Sequence, residues 1–212
     1  TVFSAPATIS VNHGGIIVGT VDKSPLIAAT GVDISDLKSK NQAFLISVLP
    51  GGRLLVAGSD SPGTAYGIME LSRLIGVSPW EWWADVTPEK KEAFHLAADY
   101  KMVQSPSVEY RGIFINDEGW GITPWAGRTF DKELGDIGPK TYAKVCELIL
   151  RMKGNMLAPA MHPSSGAFNK YPENKLVADS YGIIMSSSHC EPLLFNAVTE
   201  CDNKTMGRWN YM

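Results

Sequence analysis

Three short apolar runs in the second half of the chain, with a helix-patterned segment between each pair, restrict the fold more than any other feature. The run Gly112-Ile113-Phe114-Ile115 stops at Asn116-Asp117-Glu118, and Asn155 to Met161 stops at His162-Pro163. The third, Ile183-Ile184-Met185, continues into Ser186-Ser187-Ser188-His189-Cys190-Glu191. Strands joined through helices pair in parallel by crossover connections. Parallel pairing brings the three strand ends to one edge, and each end is polar. A solvated turn explains one such end. Three together match the mouth of an α/β barrel, where catalytic side chains sit.

The helix between the first two runs is written in "PKTYAKVCELILRMKGN". Pro139 suits its first turn. Tyr142, Val145, Cys146, Ile149 and Met152 share the apolar face, while Lys140, Lys144, Glu147 and Arg151 share the wet one. Glu147 and Arg151 form a supporting pair four residues apart, and Gly154 is placed to end the helix. "PENKLVADSYG" is a shorter helix closed by Gly182. Asp117 to Gly138 reads as a long loop, and the first run reads as a fully buried strand.

The first half has another rhythm. "GGIIVGT", "AFLISVL" and "LLVAG" read as strands. "SPGTAYGIMELSRLIG" reads as a helix with Ile68, Leu71, Leu74 and Ile75 on its apolar face and Gly76 at its stop. "WEWWADV", with three of the six tryptophans, is expected to be buried between two domains. "LAADYKMVQSPSVEY" reads as a connector. The expected fold class is α/β: a small α/β domain over 1–105, then the first units of a (β/α)8 TIM-type barrel over 106–212. An open three-layer sandwich is the competing arrangement.

Length supports an incomplete barrel, because a closed one needs about 250 residues and eight strands. The chain is therefore expected to be a fragment of a longer protein, inactive alone. Its unpaired strand edge predicts aggregation or pairing with another copy, hence a homo-oligomer. The net charge is −3 and no run of Lys or Arg occurs, which argues against nucleic-acid and anionic-membrane partners. No apolar stretch approaches the roughly 20 residues of a membrane helix. Thr1 is not followed by the basic start and apolar block of a secretory signal. Three widely spaced cysteines, Cys146, Cys190 and Cys201, match neither a disulfide framework nor a zinc motif.

The converging groups suit a carbohydrate. Sugar hydroxyls pair with Asn116, Asp117, His162 and His189, and an apolar sugar face rests on Trp120, with Trp125 and Trp209 also near. Glycoside cleavage uses two carboxyl groups, and Glu118 and Glu191 are the catalytic candidates by position. Each group has a plainer alternative: Asp117 as a turn cap, His162 as a loop residue, His189 as a satisfied structural imidazole. No metal-ligand spacing occurs, so no metal site is expected.

The blocks "LLVAGSDSPGTAYGIMELSRLIGVSPWEWWADV", "YRGIFINDE", "LILRMKGNMLAPAM", "ADSYGIIMSSSHCEP" and "WNY" run in the order found in glycoside hydrolase family 115, which this chain resembles. The resemblance implies a small domain before a barrel, and inverting hydrolysis that releases glucuronic or 4-O-methylglucuronic acid. It implies glucuronoxylan or an acidic xylo-oligosaccharide as partner, xylan degradation as context, no organic cofactor, and a secreted or periplasmic setting. A glycosidase of the N-acetylhexosaminidase type and a non-catalytic carbohydrate-binding module are the alternatives.

Overall fold

The computed structural model describes residues 15–117, 119–187, 194–196, 200, 204 and 207. The chain divides into two compact units, Thr1–Glu109 and Tyr110–Met212.

In the first unit, β1 (Ile16–Thr20), β2 (Phe44–Val48), β3 (Leu54–Gly58) and β4 (Lys101–Gln104) form one sheet in the order β1-β3-β2-β4. β1 runs parallel to β3, and β2 is antiparallel to both β3 and β4. The two central strands are almost wholly buried, as their unbroken apolar sequences require. One sheet face carries Leu45, Leu55 and Ala57, packed with Val21, Ile27, Leu37 and Leu49. The other meets helix α2 (Ser61–Leu74). The short helix α1 (Pro25–Ala28) contributes Ile27 to the first core.

Helix α2 uses only part of the face that apolar spacing suggests: Leu71 is buried and Leu74 and Ile75 are half-buried. Its buried residues are Gly63, Tyr66, Gly67, Glu70 and Leu71, while Ile68 is 45% exposed. The reason is close approach. A Cβ at Gly67 would lie 2.7 Å from Val56 Cγ1, and one at Gly63 would lie 2.2 Å from the Ala43 carbonyl oxygen. Two glycines one turn apart let the helix backbone settle on the sheet, and contact area there outweighs the loss of Ile68 burial. The buried Glu70 carboxylate is held by Arg73 at 2.6 Å.

Two further expectations change here. The presumed connector contains β4, an edge strand whose preceding Tyr100 carbonyl accepts the Val48 N–H at 3.0 Å. The tryptophan stretch is not largely buried: Trp80 is 47% and Trp82 44% exposed. These residues form a turn, closed by Trp83 and Ala84 N–H groups on the Trp80 carbonyl, and a turn fans its side chains outward instead of presenting one face.

In the second unit, β5 (Gly112–Phe114), β6 (Met156–Ala158) and β7 (Ile184–Met185) form a parallel sheet in chain order. Helices α4 (Pro139–Arg151) and α5 (Glu173–Ser180) form the connections. Leu157 at the sheet centre is fully buried. β5 is not: Ile113 and Phe114 are 44% and 46% exposed. It is an edge strand, paired only to β6.

Glu147 and Arg151 leave the expected wet face and are buried, at 2.8 Å from one another. Lys144 reaches the other Glu147 oxygen at 3.1 Å. Burial here is tolerable only because the charges meet inside the unit. At the end of α4 the left-handed residue is Lys153 (φ 59°), not Gly154. Gly154 serves close approach, since a Cβ there would lie 2.9 Å from Ile149 Cγ2 and 3.0 Å from the Arg111 carbonyl oxygen. Gly182 does close α5 in the left-handed conformation.

Two stability outcomes follow from these contacts. Asp60 Oδ1 accepts the Gly63 N–H at 2.8 Å and Oδ2 accepts the Gln42 N–H at 2.7 Å. Asp60→Ala therefore destabilises the first unit by about 1–2 kcal/mol in urea unfolding. Glu147→Gln removes the negative charge beside a buried guanidinium and destabilises the second unit by about 3–5 kcal/mol, whereas the pair Glu147→Met with Arg151→Leu loses much less. Equal losses for the single and double variants in the same unfolding assay would contradict that account.

Candidate active-site edge

The parallel ladder sets where the strand-end loops begin. Ile113 lies opposite Leu157, and Leu157 opposite Met185. The Ile115 N–H continues the ladder to the Ala158 carbonyl at 3.0 Å, and the Ser186 N–H to Leu157 at 2.8 Å. Asn116, the 159–162 segment and Ser186 thus leave the sheet from one edge.

After β5, Asn116 is exposed and Asp117 is buried. Asp117 Oδ1 accepts the Ile122 N–H at 3.0 Å, Oδ2 accepts the Thr123 N–H at 3.2 Å, and the Thr123 hydroxyl also donates to Oδ2. These bonds satisfy first-turn donors that a helix cannot satisfy itself. They create helix α3 (Ile122–Thr129) inside the stretch expected to be a loop. Trp120, just before it, is 84% exposed. Trp125 within α3 packs edge-on against Phe130, centroids 5.3 Å apart, so its ring has a structural neighbour.

Gly119 adopts φ +86°, and a Cβ there would lie 2.6 Å from Ser164 Cβ. The loops after β5 and β6 therefore touch backbone to side chain, which only glycine allows. His162, after β6, is exposed. Its Nδ1 lies 2.7 Å from Ser164 Oγ and accepts the Ser164 N–H at 3.3 Å. A backbone N–H can only donate, so in the neutral ring the proton sits on Nε2. That nitrogen is then a donor suited to a hydroxyl or carboxylate.

Two buried aspartates with no expected role complete the frame. Asp131 accepts N–H groups of Gly138, Lys140 and Thr141 at 2.9–3.1 Å, so it caps α4. Asp136 accepts the Ile137 N–H at 2.8 Å, the Gly166 N–H at 2.9 Å and the Tyr171 hydroxyl at 3.0 Å. Further along, the Asn196 side-chain amide donates to the Met161 carbonyl at 3.5 Å, tying the segment after β7 to the end of β6. Sequence reasoning missed Asp131, Asp136 and Ser164. The available signal was an Asp a few residues before a Gly-Pro helix start for Asp131; nothing local marks the other two.

Of the expected site residues, the structure brings Asn116, Asp117, Trp120 and His162 to one edge. Glu118, His189 and Glu191 lie outside the described residues, as does Trp209. Among the described residues, no group of three His, Cys, Asp or Glu side chains could hold a metal ion.

Cys146 lies in α4, and burial pushes its thiol up from 9.0 to about 12. It is thus a packing group and not a nucleophile at neutral pH. Above pH 9 the unfolded state ionises first. The stability from burying the neutral thiol is complete below that pH and is lost as pH rises from 9.0 to about 12. With Cys190 and Cys201 changed to Ser, Ellman's reagent at pH 8 is expected to label Cys146 only as fast as the unit opens; immediate labelling would refute this.

The model of Glycosyl hydrolase family 115 matches residues 103–212, and the chain belongs to that family. The solved structure of BtGH115A, a family GH115 4-O-methyl-alpha-glucuronidase with specificity for decorated arabinogalactans, is 54% identical with a TM-score of 0.86. That match covers 97% of this chain and 27% of the other, so this chain spans about a quarter of that protein's length. A glycoside hydrolase family 20 beta-N-acetylglucosaminidase matches at 14% identity and TM-score 0.45, over 87% of this chain and 41% of its own. A likeness at that level says nothing about chemistry. The comparison with curated proteins gave no match.

Proposed function

We propose that these 212 residues are part of an α-glucuronidase that removes glucuronic or 4-O-methylglucuronic acid from a plant polysaccharide. The observation that carries this is the 54% identity to BtGH115A over 97% of the chain. The three parallel strand ends on one edge support it, since a (β/α)8 barrel begins that way and builds its site there.

The mechanism in this reading is inverting hydrolysis. Two carboxyl groups about 6.5–9.5 Å apart flank the bond, one donating a proton and the other activating water. Glu118 and Glu191 follow the first and third strands of the parallel sheet in sequence and are the candidates for these two roles. Water is the only co-reactant, so no organic cofactor is required. The polysaccharide is decorated xylan or arabinogalactan; the family resemblance supports the first and the specificity of BtGH115A the second. Polymers of that size are met outside the cytoplasm, which favours a secreted or periplasmic setting. The open edge of β5, with Ile113 and Phe114 half-exposed, favours self-association of the chain when it stands alone.

Residues 1–212 alone are expected to release no glucuronic acid from either polysaccharide, because three strand ends leave most of a barrel mouth unbuilt. A longer family 115 chain containing these residues is expected to release it, and the preferred polysaccharide identifies the backbone. In that longer chain Glu118→Gln is expected to lower kcat by about a hundredfold or more while the melting temperature stays nearly constant. Unchanged turnover with a large fall in melting temperature would assign Glu118 to structure. Absence of any released uronic acid from the longer chain would end the glucuronidase reading.

A further inference from the structure

We infer that Asp136 is a positioning residue for the sugar-facing edge, acting through the loop that carries His162 and Ser164; this rests on the glucuronidase reading above. Asp136 lies between α3 and α4, away from the strand ends in sequence, yet its carboxylate gathers donors from the loop after β6. Gly166 N–H donates to Oδ2 at 2.9 Å and to Oδ1 at 3.1 Å. The Tyr171 hydroxyl donates to Oδ2 at 3.0 Å, and the Lys170 ammonium lies 3.7 Å from the same oxygen. The Ile137 N–H fixes Oδ1 from the other side at 2.8 Å.

The fit is close. A Cβ at Gly166 would lie 2.4 Å from Asp136 Oδ2, so this backbone can approach the carboxylate only as glycine. Both oxygens are bound by donors on either side of the loop, and the residue is 8% exposed. The bonds to Gly166 and Tyr171 hold two points of the loop five residues apart. Immediately before the first point, Ser165 is buried and donates through N–H and hydroxyl to the His162 carbonyl at 2.9 and 3.0 Å. Ser164 orients the His162 ring through Nδ1 and abuts Gly119 of the loop after β5. The chain of contacts is therefore Asp136, Gly166, Ser165, His162 and Ser164, and then Gly119 beside Trp120. Asp136 touches no sugar in this scheme. It sets the place of a ring donor and of the neighbouring loop, and small displacements of such groups carry large kinetic penalties.

The test has two arms. Hydrogen–deuterium exchange on residues 1–212 compares wild type with Asp136→Asn, Asp136→Ala and Tyr171→Phe. Amides of 162–167 and 119–121 are expected to exchange about tenfold or more faster in Asp136→Ala and less so in the other two, with β2 and β3 unchanged. If Asp136→Ala opens the whole second unit, Tyr171→Phe decides, because it leaves the carboxylate and the Gly166 bonds in place. Unchanged exchange in 162–167 for Tyr171→Phe and Asp136→Asn would overturn the inference. The second arm measures kinetics in a longer active chain. Asp136→Asn is expected to lower kcat/KM roughly tenfold, mostly through KM, with the pH profile of kcat unmoved. A loss confined to kcat, or a shifted pH limb, would mean a direct chemical role and would also overturn it. A wild-type longer chain without glucuronidase activity would refute the functional reading alone, since the exchange arm stands without it.

Discussion

Aspartates accepting backbone N–H groups hold this fold in register. Helices leave their first-turn donors unmet, and a carboxylate meets two or three of them at once. Asp117 does this for α3 and Asp131 for α4, while Asp60 meets one first-turn donor of α2, the Gly63 N–H, and ties it to the Gln42 N–H. Each lies shortly after a strand or helix, so each fixes the angle at which the chain turns back. Without Asp117 the sequence "GWGITPWAG" has little to start a helix: its cap position is Gly121, which carries no side chain to bond. The second sheet then has no fixed relation to the loop that leaves its first strand.

The parallel sheet β5-β6-β7 supplies the other half of the frame. Parallel sheets are normally covered on both faces. Here Leu157 is fully buried, while Phe114 and Ile184, on the opposite face by register, are 46% and 43% exposed. Ile113, on the Leu157 face by register, is 44% exposed as well, so β5 is open along its unpaired edge and not on one face alone. In the proposed reading, further barrel strands would cover that edge.

Much of this was legible from residue pattern. Strands at 16–20, 44–48 and 54–58, the helices at 61–74, 139–151 and 173–180, and the parallel order of the second unit all follow from apolar runs and their spacing. What escaped has a common cause. Helix α3 depends on Asp117 reaching five residues ahead, and α2 is seated by the space that Gly63 and Gly67 leave. Glu147 and Arg151 are polar by composition but neutralise one another inside the unit. Lys153 takes the left-handed turn because the adjacent glycine is needed for contact with Arg111 and Ile149. These are tertiary effects, and no local window contains them. The candidate edge was legible in part, since Asn116, Asp117, Trp120 and His162 follow strands that end together. Asp136 was not, because its partners Gly166 and Tyr171 lie 30 and 35 residues further on.

The carboxylates divide by what their lone pairs already hold. Asp117 accepts two N–H groups and a hydroxyl, Asp131 three N–H groups and a hydroxyl, Asp136 two N–H groups and a phenol. A general acid or base must exchange a proton with substrate or water during each turnover. A carboxylate engaged this fully would have to break helix caps or loop anchors to do so. Chemistry on this edge therefore requires carboxyl groups outside the capping set, and the caps serve by keeping the loops still.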